Sequence, residues 1–267
     1  MTWRIAAASV AGTSHAKTGR PCQDSVRVRL VKATRGPALV VAVSDGAGSA
    51  AHSEIGSDNA VATVTDLIAN YLETGAEIAG LEREVALNWL AQIQSKLSGI
   101  AAEAETSVKE FACTLLIAIV GTESAAFIQV GDGAMVVREE GDDGWSYVFW
   151  PQHGEYINST NFVTSPDAAA AMEFACVNRK VVSISSFSDG IESLVLNYAT
   201  KTVHDPFFNA MIGPVREVAT EGLDHGLSES LARYLGSDRI CERTDDDKSL
   251  VIATCVPSTS SDTNAAT

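Results

Sequence analysis

Basic residues are scarce in this chain. Lys and Arg together number 19 against 34 Asp and Glu, a formal net charge of −15 over 267 residues. A surface of that sign repels phosphate backbones and anionic lipid headgroups, which argues against general nucleic-acid binding and membrane attachment. Long apolar runs are missing as well. The longest, Ala112–Val120, is about half of the roughly 18 residues a membrane-spanning helix needs. Cysteines are few, and their five positions (Cys22, Cys113, Cys176, Cys241, Cys255) are widely spaced with no C-x-x-C pair. That pattern offers neither a disulfide framework nor a zinc knuckle, and it fits a reducing cytoplasm. There is no internal repeat and no linker rich in Pro or Gly. The chain therefore reads as one domain over residues 1–255, followed by a disordered tail over 256–267 that is rich in Ser, Thr and Ala.

What is present is an α+β pattern. Trp3–Val10 is apolar and reads as a first strand rather than a secretion signal. Ser25–Val31 alternates Val and Leu with Arg, and Ala38–Ser44 is a continuous apolar run. Two helical periodicities follow, one from Ile55 to Tyr71 and one from Val85 to Ile100. Strands return at Thr114–Val120, Ala125–Val130, Ala134–Arg138, Trp145–Trp150 and Val181–Phe187. Helical patterns over Ile191–Tyr198, Phe207–Ala219 and Leu227–Leu235 precede a last strand, Ser249–Thr254. Strands in runs and helices in pairs suit two antiparallel sheets covered by helices, not a regular βαβ alternation.

Acidic residues are common here, so only their placement informs. Asp45-Gly46 and Asp189-Gly190 each close an apolar strand, as does Gly131-Asp132-Gly133, and Asp245-Asp246-Asp247 immediately precedes the last one. Asp-Gly is also a frequent turn dipeptide. Carboxylates gathered from several strand ends, however, repel one another unless a cation joins them. The cation such donors suit is Mg²⁺ or Mn²⁺, which takes all-oxygen ligands. Two ions sharing one carboxylate would position a water for in-line attack on phosphorus.

Five segments in order also resemble the metal-dependent protein phosphatases of the 2C class, the PPM family, from about Ala6 to Thr254. Gly12-Thr-Ser-His15 through Pro21-Cys-Gln-Asp24-Ser25 is similar to the family's first motif, and Ser44-Asp45-Gly46-Ala47-Gly48-Ser49 to its Asp-Gly-x-Gly motif. Gly131-Asp132-Gly133 stands at the Gly-Asp-Ser-Arg element, Ser188-Asp189-Gly190 at Thr-Asp-Gly, and Asp246-Asp247-Lys248-Ser249 at the closing Asp-Asn-x-Thr. Together with Gly154–Thr160, these details look like a bacterial branch.

The resemblance implies a four-layer α/β/β/α sandwich, two antiparallel sheets flanked by helix pairs, with a two-metal Mn²⁺ or Mg²⁺ centre at one edge. By position, Asp45 would bridge both ions and the Gly46 carbonyl would bind one. Asp189 and Asp246 would complete the ligands of the first ion, Asp24 would act through water on the second, and Asp132 would belong to a weaker third site. The implied activity is hydrolysis of phosphoserine or phosphothreonine in a protein substrate, opposed by a Ser/Thr kinase. Two other readings are a catalytically degenerate domain that docks phosphorylated partners and a hydrolase of small phosphate esters.

Departures from the family pattern matter. Gln23 replaces a Glu, so it offers only a neutral oxygen. Gly19 stands where a phosphate-binding Arg is usual, and Arg20, one place on, is the candidate replacement because a guanidinium fork suits phosphate. Ala47 replaces a His that donates a proton, which leaves His15 and, less directly, His52 as candidates for acid or phosphate-binding roles. Ser193 replaces a further Asp of the third site. Ser53 is as suited to capping the first long helix as to touching substrate, and Cys22 reads as packing in an all-oxygen site. The segment Pro151–Lys180 sits where this family places a variable flap over the site, with a short helix or loop about Ala168–Ala171.

Overall fold

The computed structural model describes residues 2–152 and 160–257. In chain order its strands are β1 (Thr2–Val10), β2 (Ser25–Ala33), β3 (Gly36–Ser44), β4 (Leu115–Val120), β5 (Ala125–Val130), β6 (Ala134–Glu139) and β7 (Ser146–Tyr147). Then come β8 (Glu173–Val177), β9 (Val181–Phe187), β10 (Leu196–Asn197), β11 (Thr202–Val203), β12 (Gly222–Leu223) and β13 (Lys248–Val256). The helices are α1 (Thr13–Thr18), α2 (Ser53–Glu73), α3 (Arg83–Glu103), α4 (Ala168–Ala171), α5 (Glu192–Val195), α6 (Asp205–Glu217), α7 (His225–Leu235) and α8 (Asp238–Cys241).

Two sheets carry the fold. One has the order β12-β1-β13-β9-β6-β7 and the other β2-β3-β4-β5-β8; every pairing is antiparallel except the short β1–β12 contact. The period of two along each strand divides the apolar side chains between layers. On β3, Leu39, Val41 and Val43 face inward and join Trp3, Ile5, Ile184 and Val251 between the sheets. Val40 and Ala42 face outward and pack under Val61, Val64 and Ile68 of α2 and Leu90 and Ile93 of α3. On the far side, Leu250 and Ile252 of β13 pack under Phe208 and Ile212 of α6 and Leu231 of α7. Both faces of these strands are covered, which explains why Ala38–Ser44 is a continuous apolar run rather than an alternating one. The layers are helix, sheet, sheet, helix.

Three local expectations gave way. Trp145–Trp150 is a strand only at Ser146–Tyr147. The helical reading of Ile191–Tyr198 shrinks to one turn, Glu192–Val195, because Leu196–Asn197 pairs with Thr202–Val203 in a hairpin. Within Pro151–Lys180, α4 forms at Ala168–Ala171, but Glu173–Val177 is an edge strand on β5, which a polar start and a lone Phe did not announce. The Gly154–Thr160 motif, apart from Thr160, and the expected tail beyond Pro257 lie outside the described residues.

Candidate metal centre

Strand register brings the acidic residues to one end of both sheets. Ser25 pairs with Ser44, which sets Asp24 beside Asp45. Leu115 pairs with Val130, placing the turn of Asp132 at the same end. Phe187 pairs with both Ala134 and Leu250, so Asp189 leaves β9 beside that turn and beside the Asp246 entry to β13. Carboxylate oxygens of Asp45, Asp132 and Asp189 lie within 4.8 Å of one another.

Close backbone approach makes this possible. Gly46 donates its N–H to the Gln23 carbonyl at 3.1 Å, and a Cβ there would sit 2.7 Å from that oxygen and 2.8 Å from the Ser53 carbonyl. A Cβ on Gly190 would lie 1.8 Å from the Asp247 carbonyl oxygen. The Asp45 N–H donates to Thr114 Oγ1 at 2.9 Å, and the Thr114 N–H returns a bond to the Asp45 carbonyl at 2.8 Å, so the Asp45 backbone is held on both sides.

Asp247 is the organiser the sequence pattern passed over. It is buried, accepts from the Gly12 N–H at 2.6 Å and the Gln23 N–H at 2.5 Å, and thereby ties the first motif to the start of β13. His15 is buried, with Nδ1 at 2.9 Å from Asp247 Oδ1, ion-pair distance without hydrogen-bond alignment. Asp24 is also buried; Ser188 Oγ donates to its Oδ2 at 2.6 Å, while its Oδ1 has no protein partner. The Gln23 Oε1 is likewise buried without a partner. Asp246 is exposed and accepts from the Asp247 N–H at 2.9 Å, and Lys248, fully buried, donates to its carbonyl. Thr160 Oγ1 donates to Asp132 Oδ2.

The remaining candidates separate. Arg20 is exposed and donates from Nη1 to the Gly48 carbonyl at 2.8 Å, bridging the first motif to the Asp45–Ala50 loop. His52 stacks on Phe111 and precedes α2, and Ser53 is the first residue within that helix rather than its cap. Burial pushes the Cys22 thiol up to about 12, with Asp24 and Asp247 adding to it, so no thiolate nucleophile exists there near neutral pH. Glu192, three residues beyond Asp189, was not singled out by any motif. It is buried, accepts from Tyr198, and its carboxyl is raised to about 7 by burial and by Asp189 and Asp132.

The electrostatics of the cluster ask for a cation. Burial raises Asp24 to about 7, with Asp247 and Asp189 adding to it against the hydrogen bonds of Ser188 and Ser249. Asp189 rises to about 6 through burial and the charge of Asp132. Asp45 is held well above the ordinary carboxylate range by burial, Asp24, Asp189 and Asp246. Like charges this close cannot all ionise in isolation. The unpartnered buried oxygens of Asp24 and Gln23, the free approach of the Gly46 backbone and the all-oxygen donor set fit hard divalent ions.

The family model "Protein phosphatase 2C" matches residues 11–236. The chain belongs to the protein phosphatase 2C family. Among 2C-family and related proteins, it is 35% identical to serine/threonine-protein phosphatase 3 of Escherichia coli K12 over 256 residues, 95% of this chain and 98% of that one. The serine/threonine phosphatase of S. agalactiae superimposes with a TM-score of 0.63 at 12% identity, covering 95% of this chain and 100% of that one. The catalytic domain of the serine/threonine protein phosphatase PstP, solved with two manganese ions, superimposes with a TM-score of 0.58 at 17% identity, covering 96% and 99%. The resemblance assigns Asp132 to a weaker third position; in this 2C-family chain its carboxylate shares the 4.8 Å cluster with Asp45 and Asp189.

Proposed function

We propose that the protein is a Mn²⁺- or Mg²⁺-dependent phosphatase of phosphoserine and phosphothreonine in proteins. The observation that carries this reading is the convergence of Asp45, Asp132 and Asp189 at one end of a 2C-family sandwich, with Asp24 and Asp246 within electrostatic reach. Asp24, Asp45, Asp132, Asp189, Asp246 and the Gly46 carbonyl would hold the ions. Bound divalent cations supply Lewis-acid polarisation of the phosphoryl group and a nucleophilic water.

The chain's own residues do the rest. Asp45, fixed by Thr114 on both its N–H and its carbonyl, orients the centre. Arg20 spends one N–H on Gly48 and keeps the other side of its fork for the substrate phosphate. His15 is a positioning residue: with Asp247 it holds the first motif against β13, and so aims Asp24. The presence of the main metal carboxylates, Asp24, Asp45, Asp189 and Asp246, supports a working centre over a degenerate docking domain, and the raised thiols of Cys22 and Cys113 support water over cysteine as nucleophile. Substrates of this kind receive their phosphate from a Ser/Thr kinase, and five free cysteines suit a reducing, cytoplasmic setting.

The test is phosphate release from p-nitrophenyl phosphate and a phosphothreonine peptide by metal-stripped protein, with and without Mn²⁺. Turnover should need Mn²⁺, and Asp45→Asn and Asp189→Asn should each lower it by about a hundredfold or more. Ester turnover without peptide turnover would move the substrate to small molecules. Wild-type rates in both variants would remove the cluster from the chemistry.

A further inference from the structure

Beside the acidic centre lies a basic groove. A cavity of about 370 Å³ opens between α5, α6, α7 and α8, floored by Phe207, Met211, Tyr234 and Ile240 and rimmed by Arg239 and Arg243. His204 adds to the same wall, and among the described residues no carboxylate lines it. Arg239 lies within α8 and Arg243 in the turn that follows it, and both line this groove; Asp238 and Glu242 are their chain neighbours and do not line it. Both arginines are exposed, and among the described residues neither guanidinium has a hydrogen bond or ion pair. Arg29, Arg35 and Arg179, by contrast, are engaged by Asp66, Glu77 and Glu139, while Arg27 and Arg216 are free among the described residues but do not line this groove.

The groove is tied to the metal-centre segments. Leu194 on its wall follows Asp189 by five residues, and Arg243 precedes Asp246 by three. Three trans peptides place the Cα of Arg243 at most about 11 Å from that of Asp246. An extended substrate strand covers that distance in about three or four residues.

A chain of net charge −15 repels an anionic phosphopeptide over most of its surface. Two unpaired arginines over an apolar floor are where such a substrate finds attraction. We propose that this groove docks an acidic segment of the phosphoprotein substrate, a few residues from the phosphorylated side chain, with Asp or Glu on Arg239 and Arg243 and one apolar side chain against Phe207 and Met211. The inference rests on the phosphoprotein reading above and adds to it a substrate class: acidic flanks around phosphoserine or phosphothreonine.

The experiment uses full-length Mn²⁺-loaded protein, wild type and the Arg239→Glu/Arg243→Glu double variant. Substrates are p-nitrophenyl phosphate and two phosphothreonine peptides, one carrying two acidic residues and a Leu three to six positions from the phosphothreonine, the other Gln in place of the acids. The wild type should prefer the acidic peptide by at least about fivefold in kcat/KM, through KM. High salt and the double variant should both erase that preference, with p-nitrophenyl phosphate turnover kept within about twofold. Equal use of both peptides by the wild type overturns the proposal. So does an equal loss on all three substrates, or a concentration-dependent dimer that the double variant abolishes, since the groove would then hold a second copy. If no substrate is hydrolysed with Mn²⁺, the phosphatase reading fails on its own. The groove is then judged by fluorescence anisotropy of the unphosphorylated acidic peptide: binding weakened by the double variant sustains it, and no binding ends it.

Discussion

Gly190→Ala is the sharpest test of how the centre is built. Its new Cβ would stand 1.8 Å from the Asp247 carbonyl oxygen, where real Cβ contacts stay beyond 3.0 Å, so the two segments must part by at least 1.2 Å. Neither neighbour can yield cheaply, because the obstacle is backbone at the entry to β13, a strand paired on both sides. Gly190 adjoins Asp189 and Asp247 adjoins Asp246, so the displacement falls on two of the metal-ligand candidates at once. Overpacking of this kind costs about 1–3 kcal/mol, or roughly 2–12 °C in Tm for a domain of this size. A misplacement near 1 Å at a reacting centre costs about a hundredfold in rate. Gly48→Ala is the control, since nothing lies within 4 Å of its Cβ position; it should leave Tm within about 1–2 °C of wild type. The assays are calorimetric Mn²⁺ affinity, scanning calorimetry of the metal-stripped protein and initial rates on p-nitrophenyl phosphate. A Gly190→Ala protein with wild-type Mn²⁺ affinity and rate would refute the claim that this approach sets the centre.

Asp247→Ala should destabilise the metal-stripped protein by about 2–5 kcal/mol in urea unfolding, since it strands the buried N–H groups of Gly12 and Gln23; a loss below about 0.5 kcal/mol would deny Asp247 its organising part. The metal-stripped protein should also gain stability on acidification. Asp24 and Asp189 are raised in the folded state to about 7 and about 6 from 3.8, so the folded form binds more protons, and stability falls as pH rises from about 4 through 7. Melting temperatures at pH 5.5 and pH 8 check this. Asp24→Asn should flatten the slope and saturating Mn²⁺ should reverse it; a metal-free Tm that climbs toward pH 8 would contradict the electrostatic account.

Much of the fold was legible because it is written in periodicity. Ala38–Ser44 and Ala125–Val130 could only be buried strands, and α2 and α3 carry unbroken apolar stripes. Glu173–Val177 was not legible, because an edge strand with half-buried residues and a single Phe has little pattern to show. At the site, the strand-end Asp-Gly pairs marked Asp45 and Asp189, since ligands at strand ends need the glycine that lets the backbone close in. The role of Asp247 was hidden by its two acidic neighbours, Asp245 and Asp246, because only burial and two N–H partners set it apart. His15 stood out by its motif, yet its partner is a carboxylate 232 positions away in sequence, a relation that no local pattern encodes.

The central place of β13 has a consequence for when the protein can act. This strand lies between β1 and β9, so β1 meets β9 only through it, and its first residues bring Asp246 and Asp247 to the site. Among the described residues it is also the last strand in chain order, made after the two strands it joins. Without it β1 has, among the described residues, only the two-residue edge of β12 to pair with, and the first motif has no Asp247 to fasten it. Without β13, the strand that joins β1 to β9 and the carboxylates of Asp246 and Asp247 are all missing, so the centre can assemble only once that strand is in place.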